Sequence, residues 1–248
     1  MPTAAPSTFF GSRLSGLHDY ALRQKIVAFA GSAASPAQFP RDGLPEVAFL
    51  GRSNVGKSSL LNALAETKGL ARVSGQPGRT QLINFFRVSG GARPDEAREL
   101  YLVDLPGYGY AKVTESVRLS WEQLTSAYLT GRDALRLCVV LVDARHEPME
   151  GDLTLRTFLE HHGIPYAVAA TKADKLSKSE RQRRLRTLRT GMAAGAQAVT
   201  SVSAVTREGV DDLWATIRRA AASPRATAIP EPASGPPSPR SDTSPGRT

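Results

Sequence analysis

In the stretch GRSNVGKSS, a lysine and a hydroxyl, Lys57 and Ser58, follow the glycines Gly51 and Gly56 at the spacing G-x-x-x-x-G-K-[ST]. The two glycines let the backbone curl, so that the N–H groups of about residues 54–59, from Asn54 to Ser59, point into one concavity, and a helix starting there adds its positive end. An anion fits such a nest. Arg52, Ser53, Val55 and Ser59 complete the loop. Lys57 would reach the β- and γ-phosphates of a nucleoside triphosphate, and the Ser58 hydroxyl would hold Mg2+. The pattern arises by chance in a chain of this length on the order of one time in a hundred.

Three further segments supply what such a loop lacks. ATKAD (170–174) ends an apolar run, where ligand sites gather on open α/β sheets. Asp174 can accept two hydrogen bonds from N1–H and the exocyclic amine of guanine, a donor pair adenine does not present. Thr171 and Ala173 flank Lys172, whose aliphatic stem can lie along the base, and SVSA (201–204), with Val202 and Ser203, brings the Ala204 N–H toward guanine O6. GQPGRTQLINFF (75–86) is rich in Gly and Pro, and its Thr80, with Gly78, Arg79, Gln81 and Leu82 around it, is the candidate second magnesium ligand when the loop folds over a γ-phosphate. In DLPG (104–107), Asp104 would meet magnesium through water, Leu105 and Pro106 form the turn, and the Gly107 N–H faces the γ-phosphate. Lys57, Thr80 and Gly107 are therefore the expected catalytic groups. Tyr108 stands where a polar group would orient the attacking water, and Tyr108 and Tyr110 are expected either to pack or to form an apolar docking surface.

The elements that must hold these loops are legible as periodicity. EVAFLG (46–51), ELYLVDL (99–105), LRLCVVLVDA (135–144), PYAVAATK (165–172) and AVTSVSA (198–204) read as strands, near-continuously apolar as in a sheet covered on both faces, and INFFRV (83–88) as an edge strand. Helical spacing falls at 57–66, 117–131, 152–163, 177–194 and 209–222, with a capping box at Ser177 and Glu180. Strands alternating with helices predict an α/β fold with a mostly parallel sheet and helices on both faces.

The chain of 248 residues is 41% hydrophobic and 22% charged, enough for one globular domain. That domain is expected at 20–222, between a loose segment at 1–19 and a disordered Pro- and Ser-rich tail at 223–248. The single cysteine, Cys138, excludes an internal disulfide, fits a reducing compartment and reads as a small apolar residue in a buried strand. No run approaches the roughly 18–20 apolar residues of a membrane span, so a soluble, cytoplasmic protein is expected; a monomer is expected as well. A formal charge of +9 points to a polyanionic partner, nucleic acid or acidic lipid, without choosing between them.

PEVAFLGRSNVGKSSLLNAL, PGRTQLINFF, DLPGYGYAKV, TKADK and SVSA together resemble the five guanine-nucleotide motifs of the EngB-type GTPases, the YihA/YsxC group of the translation-factor-related P-loop GTPases. The resemblance covers about residues 20–220. It implies a GTP/GDP-binding, Mg2+-dependent GTPase of the bacterial cytoplasm, required for cell division and septation through assembly of the large ribosomal subunit and its ribosomal RNA. It also makes Thr171, where most GTPases have Asn, the usual residue. Ala204 stands where a second serine is common. No glutamine follows Gly107, so unassisted turnover is expected near roughly 10⁻⁴ to 10⁻³ per second, with K+ near Asn54 as a candidate accelerant. The basic stretch KSERQRRLRTLRT, with Arg181, Arg184 and Arg186, is either a contact for ribosomal RNA phosphates or a solvated face. Two alternatives stay open, a nucleotide-dependent scaffold at the division septum in which hydrolysis is incidental, and a small P-loop ATPase or kinase, which Asp174 disfavours.

Overall fold

In the computed structural model, which describes residues 25–71, 82–91, 99–108, 115–192 and 195–224, the chain runs β1 (Ile26–Ala33), β2 (Glu46–Gly51), α1 (Lys57–Ala65), β3 (Ile83–Ser89), β4 (Glu99–Asp104), α2 (Glu115–Gly131), β5 (Leu135–Asp143), α3 (Glu150–His161), β6 (Tyr166–Thr171), α4 (Lys178–Gly191), β7 (Val199–Ser201) and α5 (Val210–Ala222). The strands form one sheet in the order β1-β3-β4-β2-β5-β6-β7. From β4 to β7 neighbouring strands are parallel. β1 and β3 add an antiparallel margin. Residues 1–19 and all but the first two residues of 223–248 lie outside the described residues, as does the switch segment Gly78–Gln81 with Thr80.

Alternate residues of each strand feed two separate cores. Val47, Phe49, Leu137, Val139, Leu141, Ala167 and Ala169 pack with Leu60, Leu61 and Leu64 of α1 and Leu213, Trp214 and Ile217 of α5. Their neighbours Ala48, Leu50, Cys138, Val140, Val142, Val168 and Ala170 face Tyr128 and Leu129 of α2, Leu159 of α3, and Leu188 and Met192 at the end of α4. Because both faces are covered, the central strands carry no polar stripe. Cys138 is fully buried in β5, and burial pushes its thiol up to about 12, so it behaves as the small apolar residue expected.

INFFRV is not the edge. β3 lies between β4 and β1, and β1 is the margin of the sheet. The sequence hid β1 because IVAFAGSA buries only Val27 and Ala33, while Ile26 and Phe29 are 59% and 56% exposed, which destroys the alternation. Phe29 keeps part of its ring against Phe86, with centroids 5.8 Å apart. α4 starts as expected, with the Glu180 N–H donating to Ser177 Oγ and the Ser177 N–H to Glu180 Oε2 at 2.9 Å. Among the described residues no helix is long and apolar enough to cross a membrane.

The start of β2 is fixed by a charge. Glu46 is fully buried. Its carboxylate accepts from Tyr128 Oη at 2.8 Å and from Arg132 Nε at 2.9 Å. A carboxylate is tolerated there only because both partners are held by α2 and the residue after it. Arg132→Ala would leave that carboxylate without its cation and should destabilise the fold by about 3–5 kcal/mol, read as a lower urea midpoint; an unchanged midpoint would show that the Glu46 charge does not anchor β2.

Candidate functional site

β2 ends at Gly51, and the chain turns through residues 52–56 into α1. Gly51 has no room for a side chain, since a Cβ would stand 2.9 Å from the Leu141 carbonyl and 3.0 Å from Val55 Cγ1. Gly56, at φ 107°, occupies a backbone region closed to most side chains. Nearly every carbonyl of this turn is already engaged by the protein. Gly51 O accepts from Tyr108 N (3.3 Å), Arg52 O from Val55 N (3.1 Å) and Gly56 O from Leu60 N (2.9 Å). Asn54 O accepts from Lys172 Nζ at 2.8 Å and Val55 O from Thr171 Oγ1 at 2.6 Å. The first amides of α1 have no helical acceptor. Carbonyls engaged by the protein and amides without a helical acceptor at a helix start make a polarity that suits an anion.

Two segments converge on this turn. From the β4 side, Asp104 forms an ion pair with Lys57. Four residues later Tyr108 runs beside the turn as a parallel bridge to Arg52, and its carbonyl accepts from Ser53 N at 3.0 Å and Ser53 Oγ at 3.2 Å. Leu105 and Pro106 are buried, and Leu105 N reaches Phe49 O at 3.2 Å. The Tyr108 side chain turns inward rather than outward. Its hydroxyl donates to Asp152 Oδ1 at 2.5 Å, and Asp152 Oδ2 accepts the Met149 N–H at 2.8 Å at the start of α3. Burial first, and then the Asp152 carboxylate, push the Tyr108 phenol well above its usual range, so it is a donor at neutral pH. The Tyr108 ring thus packs against the start of α3, beside Gly151. Tyr110 lies outside the described residues.

From the β6 side, Thr171 and Lys172 clamp the turn, and Lys172 adopts a left-handed φ of 59°, a strain found where function over-determines the backbone. Lys172 Nζ also lies 2.9 Å from Asp143 Oδ2. Asp143 is further held by Arg145 through Nε at 2.9 Å and Nη2 at 2.8 Å. Burial opposes ionisation of Asp143, but the hydrogen bonds from Arg145 and Lys172 outweigh it and hold its carboxyl well below the usual range. Beyond Ala173, Asp174 Oδ1 accepts from Ser203 Oγ at 2.8 Å, which keeps that carboxyl below its ordinary value. Ser203 Oγ in turn accepts from the amides of Val205 and Thr206. Val202 is tied to Ala170 O at 2.8 Å and Ala173 N to Val202 O at 3.2 Å, so Ala204 follows a loop fixed on two sides.

The expected residues at 51–59, 104–107, 171–174 and 202–204 therefore gather at the C-terminal ends of the parallel strands, while Leu82 stands at the entry to β3 beside the undescribed Gly78–Gln81. Asp143, Arg145 and Asp152 belong to the arrangement without having stood out in the sequence. Asp143 had a signal, since it ends the apolar run LRLCVVLVD as Asp104 ends ELYLVD. Asp152 had none.

The basic helix divides into two sets. Arg181 pairs with Glu208 and Arg184 with Glu147, both largely covered, so two of the three arginines expected at RNA are struts between loops. Arg183, Arg186 and Arg189 are exposed on the outer face of α4, with Lys178.

Comparison with known proteins agrees with this geometry. The profile of the 50S ribosome-binding GTPase family matches residues 46–172. A probable GTP-binding protein EngB of Symbiobacterium thermophilum is 43% identical over 217 residues, covering 77% of this chain and 93% of its own. One from Anaeromyxobacter sp. strain K is 47% identical over 208 residues, covering 82% and 95%. Among solved structures, a probable GTP-binding protein engB superposes with a TM-score of 0.57 at 21% identity over 71% of this chain and 98% of that one. Aquifex aeolicus Era bound to GDP and AlF4⁻ superposes with a TM-score of 0.58 at 23% identity, over 70% and 56%. These last two establish the fold, that of a P-loop GTPase.

The Asp143 cluster yields a pH test. A carboxyl held low in the fold contributes stability above its unfolded value of about 3.9 and loses that contribution as pH falls beneath it. Asp143→Asn should be less stable than the parent at pH 7, and the gap in urea midpoint should close as the pH is lowered from about 4 toward 2. A gap independent of pH would show that Asp143 acts by shape alone.

Proposed function

The chain belongs to the EngB family of GTP-binding proteins and is a GTPase with a ribosome-binding GTPase domain; on that premise we propose that it works as a slow, Mg2+-dependent nucleotide switch in assembly of the large ribosomal subunit, in the cytoplasm, and that normal division and septation depend on it. The observation that carries the nucleotide part is the turn at 51–56, whose carbonyls are bound by Tyr108, Thr171 and Lys172 while the first amides of α1 have no helical acceptor.

Each residue then has a task. Lys57, paired with Asp104, exchanges that carboxylate for β- and γ-phosphate oxygens when a triphosphate enters. Asp174, preset by Ser203, accepts from the guanine edge, and the Lys172 stem covers the ring. Adenine presents no matching pair of donors, so the acceptor capacity that Asp174 keeps beyond its bond from Ser203 would go unmet, at about 1–3 kcal/mol. Gly107 donates its amide to the γ-phosphate, and Thr80, within Gly78–Leu82, is the proposed second magnesium ligand. Ser58 and Asp104 offer only oxygen, and among the described residues no cluster of three His, Cys, Asp or Glu exists, a donor set that fits a hard ion completed by substrate phosphates rather than a protein cage. Magnesium bound there supplies charge neutralisation of the phosphates; Ser58, Thr80 and Asp104 are the residues to hold it.

Asn54, whose φ is 64° and whose carbonyl is engaged by Lys172, is the residue proposed to help hold K+ beside the phosphate turn. GTP turnover should be faster in potassium than in sodium at equal ionic strength; equal rates would sink this role. For the ribosomal part, the exposed Arg183, Arg186 and Arg189 are the proposed contacts with ribosomal RNA phosphates. The chain loaded with a non-hydrolysable GTP analogue should co-sediment with large-subunit precursors more than the GDP form. Reversing the three arginines to glutamate should weaken that association and flatten its salt dependence by about one unit of log–log slope per lost phosphate contact. An unchanged slope would move the footprint off α4.

A further inference from the structure

Tyr108 is pinned on three sides, and no step of the reaction described above uses its side chain. Its main chain is zipped to the phosphate turn through Gly51 and Ser53. Its hydroxyl is bound by Asp152, a 6% exposed carboxylate whose other oxygen holds the first turn of α3. Its ring lies against Gly151, where a Cβ would stand 3.2 Å and 3.3 Å from two ring carbons, so a residue larger than glycine must push the ring aside. Gly107 immediately precedes this anchor, and Asp104, four residues before Tyr108, ends β4 in its contact with Lys57. A donor aimed at developing phosphate charge is effective only if its position is fixed beforehand, and displacements near 1 Å can lower a rate a hundredfold.

We propose that Tyr108 is a positioning residue for GTP hydrolysis: the Tyr108–Asp152 hydrogen bond and the Gly151 contact fix the Gly107 amide between the phosphate turn and α3, so that Gly107 belongs to the rigid frame of the γ-phosphate sensor. The inference rests on the reading of Gly107 as that sensor. It gives the aromatic residue after Gly107 a task different from orienting water. It also couples α3 to the reaction, since Asp152 cannot shift without moving either the helix start or the phenol.

The test uses the full chain and two variants with different physical effects. Tyr108→Phe removes the hydroxyl and keeps the ring. Gly151→Ala keeps every hydrogen-bonding group, raises helix propensity in α3 and pushes the ring by a few tenths of an ångström. Both should lower single-turnover GTP hydrolysis by about tenfold, with the dissociation constant for GDP within about twofold of the parent. Gly151→Ala should show this loss without a fall in thermal stability, which a merely structural tyrosine would not produce. Parental turnover in both variants overturns the proposal, and so does a loss of GDP affinity in proportion to turnover, which would make Tyr108 a general support of the fold. Lys57→Ala is the reference for the site itself: it should abolish turnover, and hydrolysis surviving there would overturn the reading of the nucleotide site on which this inference rests.

Discussion

A peptide turn that is to hold phosphate has to direct its N–H groups inward, and each N–H turned inward turns a carbonyl outward. Those carbonyls must find donors or the turn relaxes, because an unpaired buried carbonyl is worth about 1–3 kcal/mol against the conformation. The rest of the site can be derived from this constraint. Thr171 and Lys172 come from β6, two strands away from β2, and Tyr108 from beyond β4, on the other side. The turn is therefore built from three strand ends at once. A change in any of them alters the cradle without touching phosphate. It also explains why a threonine serves at 171: a single hydroxyl, 2.6 Å from Val55 O, is all the bolt requires.

Three strand ends can serve one turn only if the strands do not slide. Two-sided burial supplies that rigidity, since a one-residue slip in β5 would exchange Leu137, Val139 and Leu141 with Cys138, Val140 and Val142 between two differently shaped cores. The opposite end of β2 carries the complementary lock, the Glu46 carboxylate between Tyr128 and Arg132. A buried ion pair is a poor source of stability compared with apolar packing, yet it accepts only one register. Apolar contacts hold the sheet together, and the charge fixes where β2 starts, hence where its loop ends.

What was legible in the sequence was whatever obeys a short-range rule. Gly51, Gly56, Lys57 and Ser58 are recognisable because the nest needs them at fixed spacing. β5 is recognisable because a nine-residue run, near-continuously apolar, rich in Val and Leu and ending in an acid, is short for a buried helix and suits a strand covered on both faces. β1 was not legible, because a strand at the margin with Phe29 and Ile26 outward has no alternation to read. Asp152 was hidden for a different reason. In DLTLRTFLEHHG it looks like an acid favouring a helix start, which it is, and only the fold brings Tyr108, 44 residues earlier, to its second oxygen. Asp143 lies between these cases, visible as a strand-end acid but without a partner until Lys172 and Arg145 are placed beside it.

The net charge behaves in the same way. Along the chain, the arginines of α4 form one basic block; in the fold, Arg181 and Arg184 are neutralised by Glu208 and Glu147 and fasten the loops on either side of the segment 171–174. Arg181 also donates to Ala173 O at 3.1 Å, within the segment that carries Asp174. The same helix thus presents one set of cations inward, to the loops after β5, β6 and β7, and another outward, as Arg183, Arg186 and Arg189. A polyanion bound on the outer face would bear on an element whose inner face holds the segment that carries Asp174. Under the proposed reading, RNA contact and nucleotide contact share α4, so a coupling between them needs no long path: a rotation of this helix that improves one set of contacts acts directly on the other.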